Sequence, residues 1–106
     1  TLLMLMEESG FEKEICEELI DIFCQQSLTL IGTIHTFAEQ ENFVEAGFAL
    51  HQLKGSAGSV RASEIAKYAA EAEAAAKTLD DKLLEELLSK IEKQLENLSG
   101  ESGKED

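Results

Sequence analysis

The residues best suited to chemistry lie in the run Ala49-Leu50-His51-Gln52-Leu53-Lys54-Gly55-Ser56-Ala57-Gly58. The stretch reads as helix, with Gly47 four residues before His51 and Gly55 four after. Residues four apart stack on one helix face, so the imidazole is predicted to project between two positions that carry no side chain. A glycine inside a helix costs about 1 kcal/mol relative to alanine. Two such costs around one histidine point to a large body that must approach the ring closely. Lys54, three residues on, falls on nearly the same face and sets an ammonium beside it. A protruding imidazole with a cation at hand suits nucleophilic acceptance of a phosphoryl group.

Helices must position this ring, and the rest of the chain supplies them. Residues 1–8 are predicted to form a short helix over one end of the core. Ser9 with Glu12 fits a capping box, which places the next helix start near Gly10. Phe11, Ile15, Leu19, Ile22, Phe23, Gln26 and Leu30 follow helical spacing, and this helix is predicted to reach about Gln40, with Gly32 as a weak point. Asn42 with Glu45 reads as a second cap. The helix bearing His51 has Phe43, Ala46, Leu50, Leu53 and Ala57 on its apolar stripe. Gly58 to Arg61 forms a turn. A helix from Ala62 or Ser63 to Lys77 buries Ile65, Ala69, Ala72 and Ala76, small residues that allow close helix approach. Asp80 caps the last helix, with Leu79 stapling onto Leu84. Its apolar face is Leu84, Leu87, Leu88, Ile91, Leu95 and Leu98. Short connections between four main helices predict an all-α fold, an antiparallel four-helix bundle with a short extra N-terminal helix. The bundle covers residues 1–98, and 99–106 read as a disordered tail.

If the third and fourth helices form a hairpin about residues 60–62, His51 lies level with residues 70–73. Glu71 and Glu73 are the ionisable groups in that window. A carboxylate there can accept a hydrogen bond from one ring nitrogen, fixing the tautomer and leaving the other nitrogen free. Glu73 is favoured, because it lies one turn beyond Ala69 on the side expected to meet the histidine helix. His35 has no such surroundings and reads as structural or surface. Ser56 and Ser59 read as packing residues, with contact to a phosphoryl group as the less favoured alternative.

Composition narrows the function classes. The 106 residues suffice for one domain with a modest core, and 43% are hydrophobic. Proline and tryptophan are absent, and alanine, leucine, glutamate and lysine dominate, a helix-forming mix. A formal net charge of -13 argues against nucleic acid or an anionic membrane as partner. No apolar run is long enough to span a bilayer. Thr1 to Met6 is apolar but lacks a basic flank and a cleavage pattern, so no signal peptide is expected. The missing initiator methionine suggests a fragment of a longer protein. Cys16 and Cys24, eight residues apart, would stand about 12 Å apart on a helix, beyond disulfide reach. They read as reduced core thiols of a cytoplasmic domain, with no metal site expected. The chain has no glycine-rich nucleotide loop.

The run His51-Gln52-Leu53-Lys54-Gly55-Ser56-Ala57-Gly58-Ser59-Val60 resembles the signature of histidine-containing phosphotransfer (HPt) domains, His-x-Leu/Ile-Lys-Gly followed by small residues. It is close to the versions in hybrid sensor kinases of the anaerobic-control type, and it also resembles the phosphotransfer domain of chemotaxis kinases. The helical pattern extends the likeness over residues 10–98. The resemblance implies that His51 is the phosphorylated histidine and that Lys54 is the lysine beside the phosphoryl group. It implies that Gly55 opens room for a partner. Glu73, twenty-two residues on, matches a position where the family often has a glutamate or glutamine bonded to the ring. The family commonly has glycine where this chain has Arg61. A turn needing positive φ would be strained there, so the local turn is expected to differ, or Arg61 to add a cation near the docking surface.

The implied function is a phosphorelay module that takes a phosphoryl group on His51 from a receiver-domain aspartate and passes it to another receiver. It would be a carrier without kinase or nucleotide site of its own. The implied docking patch comprises Gly47, Phe48, Leu50, Gly55 and Arg61. No cofactor is expected on this chain, the catalytic Mg²⁺ belonging to the receiver. A histidine kinase catalytic domain is a further candidate partner. Two alternatives stay open. One is the kinase-substrate domain of a chemotaxis-type histidine kinase. The other is a non-catalytic helical interaction bundle in which His51 is incidental.

Overall fold

The structure, a computed structural model, describes residues 1–101. They form five helices: α1 (Leu2–Ser9), α2 (Lys13–Glu39), α3 (Phe43–Ser59), α4 (Ser63–Lys77) and α5 (Asp81–Glu101). There is no strand among the described residues. α3 packs on α2 and α4, α5 packs on α4 and α2, and α1 lies against α2. No helix among the described residues is long and apolar enough to cross a membrane.

One turn geometry joins the four longer helices. After α2, the Glu41 N–H donates to Ala38 O and the Asn42 N–H to Phe37 O. After α3, Arg61 and Ala62 donate in the same pattern to Gly58 O and Ala57 O, and after α4 Leu79 and Asp80 donate to Ala76 O and Ala75 O. This is the Schellman pattern, which needs a left-handed residue directly after the helix. That residue is Glu41 (φ 57°), Arg61 (φ 63°) and Leu79 (φ 59°). None is glycine, so each connection holds an L residue in a region that costs about 1–2 kcal/mol. Two of the following helices are then capped. The Glu45 N–H donates to Asn42 Oδ1 (3.4 Å), and the Leu83 N–H donates to Asp80 Oδ1 (3.1 Å). Both caps were legible in the sequence. The turn at Arg61 does not avoid positive φ, as expected for arginine; it adopts it.

The core is built from Ile20, Ile31 and Ile34 of α2, Leu50 and Leu53 of α3, and Leu84, Leu88, Ile91 and Leu95 of α5, all fully buried. α4 contributes Ile65 and a row of buried alanines, Ala69, Ala72, Ala75 and Ala76. Cys16 and Cys24 are buried free thiols. The predicted faces of α4 and α5 are those the structure buries, and so is that of α3 except for Phe43, which is only partly buried.

The entry to α2 differs from the sequence reading. Helix α2 starts at Lys13 with Glu12 as its cap residue, and Ser9 ends α1. Gly10 closes α1 in the left-handed conformation, and Ser9 Oγ accepts the Phe11 N–H (3.1 Å) instead of capping α2. The buried face of α2 is also rotated. Phe23 is inside, but Ile15, Ile22 and Gln26 are exposed, as is Phe11 ahead of the helix, while Cys16, Ile20, Cys24 and Ile31 face the core. Helix α2 has apolar residues on several sides, so periodicity alone leaves its orientation open. Leu79 is largely exposed and does not bury itself as a staple over Leu84. The segment expected to be disordered is helical from Ser99 through Glu101; its remainder, 102–106, lies outside the described residues.

Candidate functional site

His51 stands midway along α3, between core residues that fix the helix rotation. Leu50 and Leu53 are both fully buried. With these two anchored, the intervening face of α3 turns outward, and the His51 side chain is 67% exposed. Across from it, the buried Ala69, Ala72 and Ala76 present no side chain beyond Cβ, which lets α4 approach α3 closely. That approach brings Glu73 to the ring. Its Oε2 lies 3.3 Å from His51 Nδ1, and its side chain is only 15% exposed.

The carboxylate of Glu73 gathers two cations as well. Lys54 Nζ stands 3.5 Å from Oε1, and Lys77 Nζ stands 3.9 Å from Oε2. Imidazole, carboxylate and two ammonium groups thus form one cluster across α3 and α4. Among the described residues, no side chain is paired with His51 Nε2.

Beside the cluster runs a shallow groove lined by Phe43, Val44, Gly47, Phe48, His51, Glu73 and Lys77. Phe48 is 67% exposed at its edge, an unusual position for a phenylalanine without a partner. Gly47 forms part of the groove wall. A Cβ added at Gly47 or at Gly55 would meet nothing within 4 Å, so neither glycine is demanded by packing inside this chain.

The structure therefore brings together His51, Lys54 and Glu73, with Gly47 and Phe48 alongside and Gly55 exposed one turn further on. Glu71 is exposed, and it is Glu73 that meets the ring. Two expected docking residues are elsewhere. Leu50 is in the core, one position round the helix from His51. Arg61 is beyond the end of α3, where its guanidinium donates to Glu8 of α1 and to the carbonyls of Gly58 and Ser59 (3.1 Å each). It ties α1 to the end of α3. The hydroxyls of Ser56 and Ser59 donate to Gln52 O and Gly55 O of their own helix.

Sequence reasoning missed Lys77, taken only as the end of α4. Its spacing of four from Glu73 is the standard helical ion-pair spacing and could have flagged it. His35 also has a more definite place than its sequence surroundings indicate. Its Nδ1 is 3.1 Å from Glu85 Oε1 and its Nε2 3.5 Å from Glu92 Oε2, so it bridges α2 to α5. Among the described residues, no group of three or more His, Cys, Asp or Glu side chains could hold a metal ion.

A protein-family model described as Hpt domain matches residues 18–101. The chain belongs to the Hpt domain family. The matched region contains α3, α4 and α5 entire and most of α2, hence every residue of the cluster. Hpt domains are carriers in histidine phosphotransfer, not kinases, and they interact with receiver domains in phosphorelays. Nothing among curated proteins or solved structures matches this Hpt domain.

Proposed function

We propose that His51 of this Hpt domain is the phosphoryl carrier, accepting the group from the aspartyl phosphate of one receiver and delivering it to the aspartate of another. The observation that carries this reading is the two-sided setting of the ring: Nδ1 on a largely buried carboxylate, and an exposed side chain with no side-chain partner at Nε2 among the described residues. A proton on Nδ1 facing Glu73 leaves the Nε2 lone pair as nucleophile. Nε2 forms the new N–P bond as the acyl phosphate P–O bond breaks, and the receiver's carboxylate leaves. The ring then carries a positive charge with Nδ1 still protonated, and the Glu73 carboxylate balances it. Lys54 offsets charge on the phosphoryl oxygens. The Mg²⁺ that such a transfer uses resides on the receiver.

The groove of Phe43, Val44, Gly47 and Phe48, with the open space above Gly55, receives the partner. The scaffold is an antiparallel four-helix bundle with α1 as an appended helix, a reading supported by the reversing turns centred on Glu41, Arg61 and Leu79. Two buried unpaired thiols fit a reducing cytoplasmic setting.

Mixing the protein with a phosphorylated receiver tests the proposal. Acid-labile, base-stable phosphate is expected on His51 and is expected to vanish in His51→Gln while helical content holds. Equal labelling of the Gln variant would remove His51 from the role. A second reading, the substrate domain of a chemotaxis-type kinase, is favoured by the carboxylate at position 73, which raises the nucleophilicity of the ring. It alone predicts labelling by such a kinase domain and ATP with no receiver present.

A further inference from the structure

The carrier reading leaves one group of the cluster without a task. Lys77 stands on α4 and meets the carboxylate oxygen of Glu73 that Lys54 does not, and its side chain is 74% exposed. It reaches the same carboxylate oxygen, Oε2, that faces His51 Nδ1, and it lines the groove that contains the ring. The chain has 9 Lys and Arg against 22 Asp and Glu. Two of those scarce cations converge on a single carboxylate beside the exposed imidazole. A simple surface ion pair is worth little, about 0–1 kcal/mol, so the pairing with Glu73 does not by itself explain why two ammonium groups meet there.

We infer that Lys77 is a second phosphoryl-holding residue, paired with Glu73 while the ring is bare and drawn to the phosphoryl oxygens once the ring is loaded. The inference rests on His51 being the carrier. Before loading, Glu73 is flanked by the imidazole and both ammonium groups. Loading adds a phosphoryl dianion at Nε2 and a positive charge to the ring, so Glu73 pairs with the ring and the long, solvated Lys77 side chain is released toward the new anion. Lys54 on α3 and Lys77 on α4 would then hold the group from two helices. Lys77 would touch the phosphoryl group directly, and its removal leaves the His51 nucleophile in place.

The test loads the full chain with phosphoramidate, a small donor that removes any receiver from the comparison. His51 Nε2 forms the N–P bond as the donor's P–N bond breaks and ammonia leaves. The ³¹P resonance of the phosphohistidine is then followed against pH in the wild type, Lys77→Ala and Lys77→Arg. An ammonium at roughly 5 Å in a water-like dielectric lowers the last phosphoryl ionisation by about half a pH unit. Lys77→Ala is therefore expected to move the midpoint up by about that amount, and Lys77→Arg to restore it. The same upward shift is expected when Lys77→Ala is made in a Glu73→Gln background.

An unchanged midpoint in Lys77→Ala overturns the inference while leaving His51 as the carrier. A shift that disappears in the Glu73→Gln background also overturns it, because Lys77 would then act only through Glu73. No phosphohistidine at position 51 in the wild type would sink the carrier reading itself, and this inference with it.

Discussion

Glu73 on α4 holds its Oε2 3.3 Å from Nδ1 of His51 on α3, and it is the less exposed partner of the two. The relationship divides the imidazole into a side turned to the protein and a side turned to solvent. It depends on α3 and α4 packing closely, which the alanine face of α4 permits.

Glu73→Ala should slow transfer from a phosphorylated receiver by roughly 10–100-fold, the worth of a hydrogen bond to a charged group. Glu73→Gln should keep most of the rate, since its amide oxygen still accepts from Nδ1–H. Single-turnover transfer kinetics measure both. A wild-type rate in Glu73→Ala would show that the carboxylate does not prepare the ring.

Glycine at 55 should cost stability and serve docking. Gly55→Ala meets no steric obstacle inside the chain and should raise stability in urea by about 0.5–1 kcal/mol. It should nevertheless weaken receiver binding, because the added methyl enters the space the partner occupies. Gly32→Ala, on exposed α2 and equally unobstructed, should give the same stabilisation with binding unchanged. Equal binding by both variants would return Gly55 to a packing-neutral position.

The left-handed turns invite glycine. Leu79 is exposed at φ 59°, so Leu79→Gly loses little burial and relieves backbone strain. Denaturant unfolding should show a gain of about 0.5–1 kcal/mol after the entropy of the unfolded glycine is counted. Arg61→Gly relieves the same strain but gives up the contacts to Glu8, Gly58 and Ser59. Amide exchange in α1 should therefore accelerate in Arg61→Gly and stay unchanged in Leu79→Gly.

Burial, with the Asp21 carboxylate as the smaller cause, pushes the Cys24 thiol up from 9.0 to about 11. The folded chain thus keeps this proton at a pH where the unfolded chain has lost it. The stability contributed is fully present below about pH 9 and is lost as pH rises through about 11. Melting temperature should fall over that window, and should fall less steeply in Cys24→Ala. Iodoacetamide at pH 8 should label Cys24 far more slowly in the folded protein than in urea, and equal rates would contradict its burial.

Local chemistry was the legible part of this chain. The caps at Asn42 and Asp80, the face of α5 and the alanine row of α4 depend on residues within a few positions of one another. His51, Lys54 and Glu73 were legible for a related reason. A tight turn near residue 61 fixes the register of two successive helices, and counting back from it sets position 73 opposite position 51.

The sequence by itself determined the helical class, the turn positions and the histidine around which the site is built, because helix period and capping act over one or two turns. Tertiary packing decided the rest. It chose which side of α2 faces inward, since apolar residues such as Ile15, Cys16, Ile20 and Ile22 lie around much of that helix and contact with α1, α3 and α5 selects among them. It buried Leu50 while leaving Phe48 exposed, and it sent Arg61 to Glu8 and not to the groove beside His51. It also converted Lys77 from a helix-end lysine into a member of the site, because Glu73 is shared between α4 and the ring on α3 only once the two helices meet.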